Sequence, residues 1–333
     1  MAERLKIAFA GARHFHAMMF LNTIKKMPHE IVAIADVDTA FIEEKSAAFG
    51  CRGYNDYKVM LDTEKPDFVF SFGKHRDMAG ILKEILARNI PVCTEKPITD
   101  DPDTMRSLAE TAKKNGIYTD VALPLRFSPI LLTINAFREK HDIGKVVHCY
   151  FRNMAGPVQR YVDWGNAWMI DKELALGGPF MNEGAHYIDL FLQIAGQPIT
   201  SSIGFTTNHI YGGSIDDNTT VVMNTADGTR CVIEICYGYP TSNNWRDLAC
   251  VVNTENYLFT LLDREEPREF ALEIRSRIDN HVETVDLLPY EQRVYRVFTE
   301  ETLNNFISGK AGIVPFDYYC GIVDVLASVY GKH

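Results

Sequence analysis

The sequence predicts an α/β unit built on a doubly wound parallel sheet, followed by an α+β unit with a large, open and mostly antiparallel sheet. Over roughly the first 120 residues, short apolar runs alternate with helical stretches, a rhythm typical of parallel sheets. After Pro124 the pattern becomes a series of apolar runs separated by short turn sequences such as Asp227-Gly228, which suit antiparallel hairpins. A length of 333 residues also exceeds that of one typical domain.

The first unit begins with an apolar strand that ends at Gly11, and helices separate the strands that follow. One helix extends to about residue 27, a second covers residues 40–49, and a third ends near Arg88. Asp101-Pro102 marks a helix start, because aspartate caps a helix well and proline fits its first turn. The predicted strands occupy residues 5–10, 31–35, 67–72, 91–94 and 117–121, with a possible short strand at Tyr54.

The second unit begins with one helix and one strand, and a loop rich in Gly, Trp and Asn then leads to a further helix. The predicted elements are helices at 128–140, 182–195, 291–308 and 317–330, and strands at 145–152, 199–208, 218–225, 229–237, 247–253, 256–262, 270–276 and 282–288. We therefore expect two domains, residues 1–123 and 124–333. Helices should cover one face of the second sheet, and the C-terminal helix is expected to pack back on the first domain.

The composition is that of an ordinary soluble globular protein, with 46% hydrophobic and 23% charged residues. A net charge of −10 argues against nucleic acid or an anionic membrane as a partner, because both select basic surfaces. No apolar run approaches the length of a membrane span, and the N-terminal run ends at Arg13, which makes it too short for a signal peptide.

The seven cysteines are scattered along the chain, and none forms a Cys-x-x-Cys pair. We therefore expect neither a zinc or other metal site nor a disulfide framework. Such cysteines are typical of a reducing compartment, so we expect a cytoplasmic protein.

A doubly wound sheet binds a dinucleotide at its first strand–helix turn, where backbone N–H groups meet the pyrophosphate. Here that turn, Gly11-Ala12-Arg13-His14-Phe15-His16, keeps only the first glycine of the usual Gly-x-Gly-x-x-Gly. Asp36 ends the second strand, where a carboxylate accepts both ribose hydroxyls and repels a 2′-phosphate. The pattern predicts NAD rather than NADP. The alternatives are a purely structural turn and an aspartate that merely ends its strand.

Three further residues indicate proton chemistry. Lys96 follows a strand at the sheet edge where α/β proteins bind ligands, so it could hydrogen-bond a substrate hydroxyl. Asn182 and His186 lie four residues apart, hence on one helical face, and histidine accepts an alcohol proton near neutral pH. The alternatives are an exposed Glu95–Lys96 pair in a loop and a histidine packed in the core.

On these residues the chain resembles the Gfo/Idh/MocA oxidoreductase family, which includes glucose–fructose oxidoreductase and inositol dehydrogenases. The resemblance covers the chain from Leu5 to about Tyr330, and four stretches carry it. They are Glu95-Lys96-Pro97, Arg126-Phe127-Ser128-Pro129, Ile143-Gly144-Lys145-Val146, and the segment from Trp168 through Gly177-Gly178 to His186 and Asp189.

The resemblance implies a Rossmann domain that binds NAD(P), a separate substrate domain, and reversible oxidation of a hydroxyl on a sugar, inositol or related polyol. It implies that Lys96 and His186 are catalytic, and that the open sheet forms homodimers or homotetramers. The cofactor-binding positions are expected to be Gly11, Arg13, His14, Asp36, Gly73, Glu95 and Lys96.

The chain departs from the family pattern in three places. Arg13 and His16 replace the second and third glycines, and Gly73-Lys74-His75 stands where the family has Thr-Pro-Asn. Asn182 replaces a frequent aspartate. An asparagine can align a hydroxyl but cannot carry a proton, which puts the catalytic strength in doubt.

The leading hypothesis is an NAD-dependent dehydrogenase in which His186 takes the hydroxyl proton, Lys96 polarises the oxygen and Asn182 aligns it. The residues expected to contact the sugar are Arg152, Asn153, Trp164 and Trp168. Two other classes stay open. One is an NAD-dependent glycosidase of the same fold, and the other is a non-catalytic regulator that binds the dinucleotide as a ligand.

Overall fold

The computed structural model describes residues 4–241, 246–265, 268–287 and 291–331. These residues form two sheets, one of six strands and one of eight. Both predicted sheets, and the α/β class of the fold, are confirmed. The last residue of the strand predicted at 282–288 lies outside the described residues.

The six-stranded sheet is parallel throughout, with the strand order β3-β2-β1-β4-β5-β6. Its strands are β1 (Lys6–Ala10), β2 (Glu30–Ala35), β3 (Arg52–Tyr54), β4 (Phe68–Ser71), β5 (Val92–Thr94) and β6 (Thr119–Val121). The helices between them are α1 (Ala17–Ile24), α2 (Thr39–Phe49), α3 (Tyr57–Glu64), α4 (His75–Ala87) and α5 (Pro102–Asn115). Its central strands are apolar and almost wholly buried, as expected for a sheet covered by helices on both faces.

The strand order reverses between β1 and β4, and ligands of doubly wound sheets bind at such a reversal. Gly11 follows β1 with a φ of +73°, and a Cβ atom there would lie 2.8 Å from the Cα of Gly73. Only glycine suits this position, because the left-handed conformation and the close approach both exclude a side chain.

The eight-stranded sheet has the order β14-β13-β12-β11-β7-β10-β9-β8, and among its described strands only β7 and β10 pair in parallel. Its strands are β7 (Val146–Met154), β8 (Ile199–Thr207), β9 (Asn218–Thr225), β10 (Arg230–Cys236), β11 (Asp247–Thr254), β12 (Tyr257–Glu265), β13 (Arg268–Ser276) and β14 (Val282–Leu287). The remaining helices are α6 (Pro129–Arg138), α7 (Gln159–Asp163), α8 (Lys172–Ala175), α9 (Pro179–Ala195), α10 (Glu291–Ile307) and α11 (Phe316–Val329).

Helix α9 carries the predicted histidine across this second sheet. It begins at Pro179, ends before Gly196 in a left-handed conformation, and packs on β7, β9 and β10. None of the described helices is both long and apolar enough to cross a bilayer.

The C-terminal segment returns to the first sheet, where it is bound by one buried carboxylate. Asp120 of β6 accepts hydrogen bonds from the main-chain N–H groups of Val314 (2.7 Å) and Ile313 (3.2 Å). It also accepts from the hydroxyls of Thr302 (2.9 Å) and Tyr118 (3.2 Å). Helix α11 then packs on α5 and α9. The division into domains 1–123 and 124–333 stays a proposal, and its ends at 1–3 and 332–333 lie outside the described residues.

Asp120 gives a testable dependence of stability on pH. Burial raises its pKa from 3.8 to about 6, although its hydrogen bonds act in the opposite direction. Because the folded-state pKa lies above the unfolded value, this group's contribution to stability is full below about pH 4 and is lost as the pH rises through about 6.

The quantity to follow is the free energy of unfolding of the native protein minus that of the Asp120→Asn variant. We expect this difference to fall by up to roughly 3 kcal/mol between pH 4 and pH 7. Urea unfolding at a series of pH values measures this difference. The exposed Asp103→Asn serves as control. A difference between native and Asp120→Asn that is independent of pH would contradict the assignment.

Candidate active site

The site is centred on a buried lysine that joins the two sheets. Lys96 follows β5 and Glu95, and its side chain is fully buried. Its Nζ donates to the main-chain oxygen of Asn182 at 2.5 Å and to the side-chain Oδ1 of Asn182 at 3.0 Å. The Oε1 of Glu95 lies 3.6 Å away. The two motifs singled out in the sequence therefore meet in one place.

Asn182 forms hydrogen bonds through both ends of its side-chain amide. Its amide oxygen accepts from Lys96, and its amide nitrogen donates to the hydroxyls of Tyr161 (3.0 Å) and Tyr237 (3.1 Å). Both ends of the amide are thus engaged within the protein, and the side chain is buried. Asn182 therefore holds the lysine, and its predicted alignment of a substrate hydroxyl stays a prediction.

His186 lies one helical turn beyond Asn182 and is 5% exposed, and its Nδ1 has no hydrogen-bond partner in the described part of the chain. Burial, and secondarily the charge of Lys96, lower its pKa to about 3. The imidazole is therefore neutral near pH 7 and has a lone pair free to accept a proton.

Glu183 supplies negative charge beside these groups. Burial alone would raise its pKa, but the positive charges of Lys96 and Arg246 outweigh that effect and lower it to about 2. The group is therefore a carboxylate at neutral pH.

A pocket of about 380 Å³ opens beside His186, a volume suited to one small sugar-sized molecule. Aromatic rings and charged groups dominate its wall. The lining residues are Phe15, His16, Met19, Pro124, Leu125, Arg160, Tyr161, Trp164, Glu183, His186, Tyr187, Arg246, Val294 and Tyr295.

Of the four residues predicted to contact the sugar, only Trp164 belongs to this wall. Arg152 of β7 forms an ion pair with Asp247 of β11 at 2.8 Å. The neighbouring Asn153 is buried, and its side-chain amide has no hydrogen-bond partner among the described residues. Trp168 packs edge-on against His75, with ring centroids 4.9 Å apart. None of these three residues lines the pocket, and their contacts with a sugar stay a prediction.

Two histidines and a carboxylate lie close together at the wall of the pocket, an arrangement that no motif in the sequence indicated. The donor atoms of His14, His16 and Glu95 all lie within 4.8 Å of one another. Nδ1 of His16 lies 3.2 Å from Glu95, whereas Nε2 of His14 is buried without a partner among the residues that the structure describes. Such a donor set could bind a divalent cation, so the predicted absence of a metal site stays a prediction.

The residues at the strand reversal fit a dinucleotide. Gly11 and Gly73 leave a cradle that a Cβ atom would fill, and Asp36 lies directly after β2. Asp36 accepts from the N–H of Ala12 at 3.3 Å. Arg13 extends from the same turn and pairs with Asp38 at 2.6 Å. The guanidinium of Arg13 and the carboxylate of Asp36 thus lie where the phosphates and the ribose of a dinucleotide would bind.

Several residues of the site could not be identified from the sequence, namely Arg160, Tyr161, Tyr237 and Tyr295. They come from α7, from the segment after β10, and from α10. No spacing rule connects these segments. The only local signal was the loop rich in Gly and Trp that contains Tyr161.

Comparison with known proteins agrees with this architecture. Residues 5–122 match the profile described as the oxidoreductase family, NAD-binding Rossmann fold, and residues 131–256 match the Gfo/Idh/MocA C-terminal domain. One relative is the trans-1,2-dihydrobenzene-1,2-diol dehydrogenase of Sus scrofa, 21% identical over 69% of this chain and 67% of that protein. Another is the D-glucoside 3-dehydrogenase of Escherichia coli K12, 26% identical over 52% of this chain and 49% of that protein.

Among solved structures, an oxidoreductase from Agrobacterium radiobacter in complex with NAD⁺, L-tartaric acid and magnesium shares the fold. The TM-score is 0.86 at 17% identity, and the match covers 99% of this chain and 96% of that one. The chain spans between 49% and 67% of the length of the curated relatives named above.

The charge of the side chain at position 182 should affect the pKa of His186, and this effect can be tested. A carboxylate at position 182 would stabilise the imidazolium one turn away, whereas the native amide carries no charge. We expect Asn182→Asp to raise the apparent pKa of the acidic limb in the pH profile of kcat/KM.

The exposed Asn304→Asp on α10 adds the same charge at a distance and should leave this limb in place. If the limb also stays in place in a folded Asn182→Asp protein, residues 182 and 186 do not communicate and the proton acceptor lies elsewhere.

Proposed function

The chain belongs to the Gfo/Idh/MocA oxidoreductase family, and on this premise we propose that it is an NAD-dependent dehydrogenase acting on a hydroxyl of a sugar, inositol or related polyol. One observation carries the proposal. A buried lysine, hydrogen-bonded to Asn182, and a neutral histidine one helical turn further on lie beside a pocket of about 380 Å³.

His186 is the proposed proton acceptor. Its imidazole borders the pocket and is neutral because burial and the Lys96 charge lower its pKa. A neutral imidazole can take the proton of an alcohol as the carbon beneath it is oxidised. When bound, NAD supplies the acceptor for the hydride.

Lys96 is the proposed electrostatic partner of the hydroxyl oxygen. An ammonium donor stabilises the negative charge that develops as the O–H proton leaves. Asn182 restricts the motion of the ammonium through two hydrogen bonds, so the lysine needs little reorganisation during the reaction.

The assembly is proposed to be a homodimer or homotetramer formed through the eight-stranded sheet. Ser202 and Gly204 of β8 face α11, whereas Ile203 and Phe205 point to the opposite face, 56% and 64% exposed. A cytoplasmic location is proposed because all seven cysteines are free thiols.

The proposed function is tested by incubating the protein with NAD and a panel of sugars and polyols, then with chromogenic glycosides. Steady formation of NADH is expected. Glycoside cleavage without net NADH would instead indicate an NAD-dependent glycosidase, and NAD binding without turnover of either panel a regulator.

Replacing Lys96 by alanine is expected to lower kcat by roughly 10²-fold, because a positioned acid–base group is lost. NAD affinity should change little. The exposed Lys83→Ala is the matched control. Near-normal turnover in Lys96→Ala would remove the lysine from the mechanism.

Asp36 is expected to set the choice of cofactor. Its carboxylate at the end of β2 would accept the ribose hydroxyls and repel a 2′-phosphate. Binding of NADH should therefore be at least about tenfold tighter than that of NADPH. Asp36→Ser should narrow this ratio, whereas the exposed Glu110→Gln should not. Fluorescence titration with both nucleotides measures it, and an equal affinity of the native protein for both would exclude the role.

A further inference from the structure

The pocket contains a buried cation without a counter-charge. Of the arginines whose side chains the structure describes, only Arg160 is buried, at 6% exposure. Its Nη2 donates to the hydroxyl of Tyr161 at 3.0 Å, whereas its Nη1 is buried and has no acceptor among the described residues. No described carboxylate forms an ion pair with this guanidinium. A buried charge in this condition is unfavourable unless a ligand supplies the missing partner.

Aromatic rings fix the position of this cation. The guanidinium carbon lies 4.6 Å from the ring centre of Tyr161, 5.0 Å from that of Tyr237 and 6.0 Å from that of Trp164. Cation–π contacts hold the guanidinium but satisfy none of its N–H donors. Arg160 is therefore pre-organised and still has hydrogen-bonding capacity to offer.

The other charges of the site are matched. Lys96 has Glu95 at 3.6 Å, and the charges of Lys96 and Arg246 together lower the pKa of Glu183, which keeps that group ionised. Both pocket histidines, His16 and His186, have lowered pKa values because they are buried. The pocket thus has one positive charge in excess, which a single negative charge on a ligand would balance.

On these grounds we propose that the substrate carries a carboxylate, as a hexuronate or an aldonate does, and that Arg160 binds this group while His186 accepts the proton of a hydroxyl on the same molecule. Guanidinium and carboxylate are both planar and match in a two-point hydrogen bond. A carboxylate, with one charge, fits the excess better than a phosphate with nearly two. A pocket of about 380 Å³ has room for one such sugar acid.

This inference rests on the proposed function and specifies its substrate class. The NAD-saturated enzyme is assayed for kcat/KM with matched sets of compounds: glucuronate, glucose and glucose 6-phosphate, then galacturonate and galactose, then gluconate and glucitol. We expect the acids to be preferred over their neutral parents and over the phosphate.

Arg160→Gln should lower kcat/KM for the acid by roughly 10²-fold and for the neutral parent by less than about threefold. Arg160→Lys, which keeps the charge but not the planar fork, should be intermediate. The exposed Arg275→Gln on β13 is the control and should change neither value. Equal losses for acid and neutral parent would show that Arg160 only positions Tyr161, and a preference for the neutral parents or the phosphate would also overturn the proposal.

A binding experiment tests the carboxylate site even if the proposed dehydrogenase function is wrong. If none of the compounds yields NADH, calorimetric titration of glucuronate and glucose into the NAD-saturated protein decides the matter. Tighter binding of glucuronate that Arg160→Gln abolishes would support the carboxylate site. Equal or undetectable binding of the two sugars to the native protein would overturn it.

Discussion

The hydrogen bonds between the Lys96 ammonium and Asn182 are the contact on which the rest of the site depends. They join a residue after β5 of the parallel sheet to a residue on α9 of the second sheet, 86 positions later. An ammonium that is fully removed from water is costly unless hydrogen bonds and opposite charge compensate it. Asn182 supplies two acceptors and Glu95 a nearby carboxylate, so the cation proposed to take part in the chemistry also links one sheet to the other.

The electrostatics of the site follow from this buried charge. Lys96 contributes to lowering the pKa of His186 and of His75, and it helps to keep Glu183 ionised. The same ammonium therefore favours a neutral base beside it and a charged carboxylate. This division of protonation states suits removal of a proton from a neutral alcohol near pH 7.

The asparagine at position 182 matches its surroundings. Its amide accepts from Lys96 and donates to the hydroxyls of Tyr161 and Tyr237, whereas an ionised aspartate has no proton to donate. Tyr161 also accepts from Arg160, so one chain of contacts extends from the lysine to the cation proposed to bind the substrate. The departure from the family's usual aspartate thus extends a network that reaches the substrate pocket.

The sequence by itself determined the parts of this protein that depend on local periodicity. Alternating apolar runs and helices predicted the parallel sheet, and a spacing of four residues placed Asn182 and His186 on one face of α9. It also put Lys96 at the carboxyl end of a strand. Only the tertiary structure decided which side chains meet in the pocket, because that depends on contacts between distant segments. Arg152 and Asn153 are neighbours on β7 and must point to opposite faces, but the sequence could not say which face meets α9. Arg160 and Tyr237 join the site only because α7 and the segment after β10 pack together, and no local pattern records that packing.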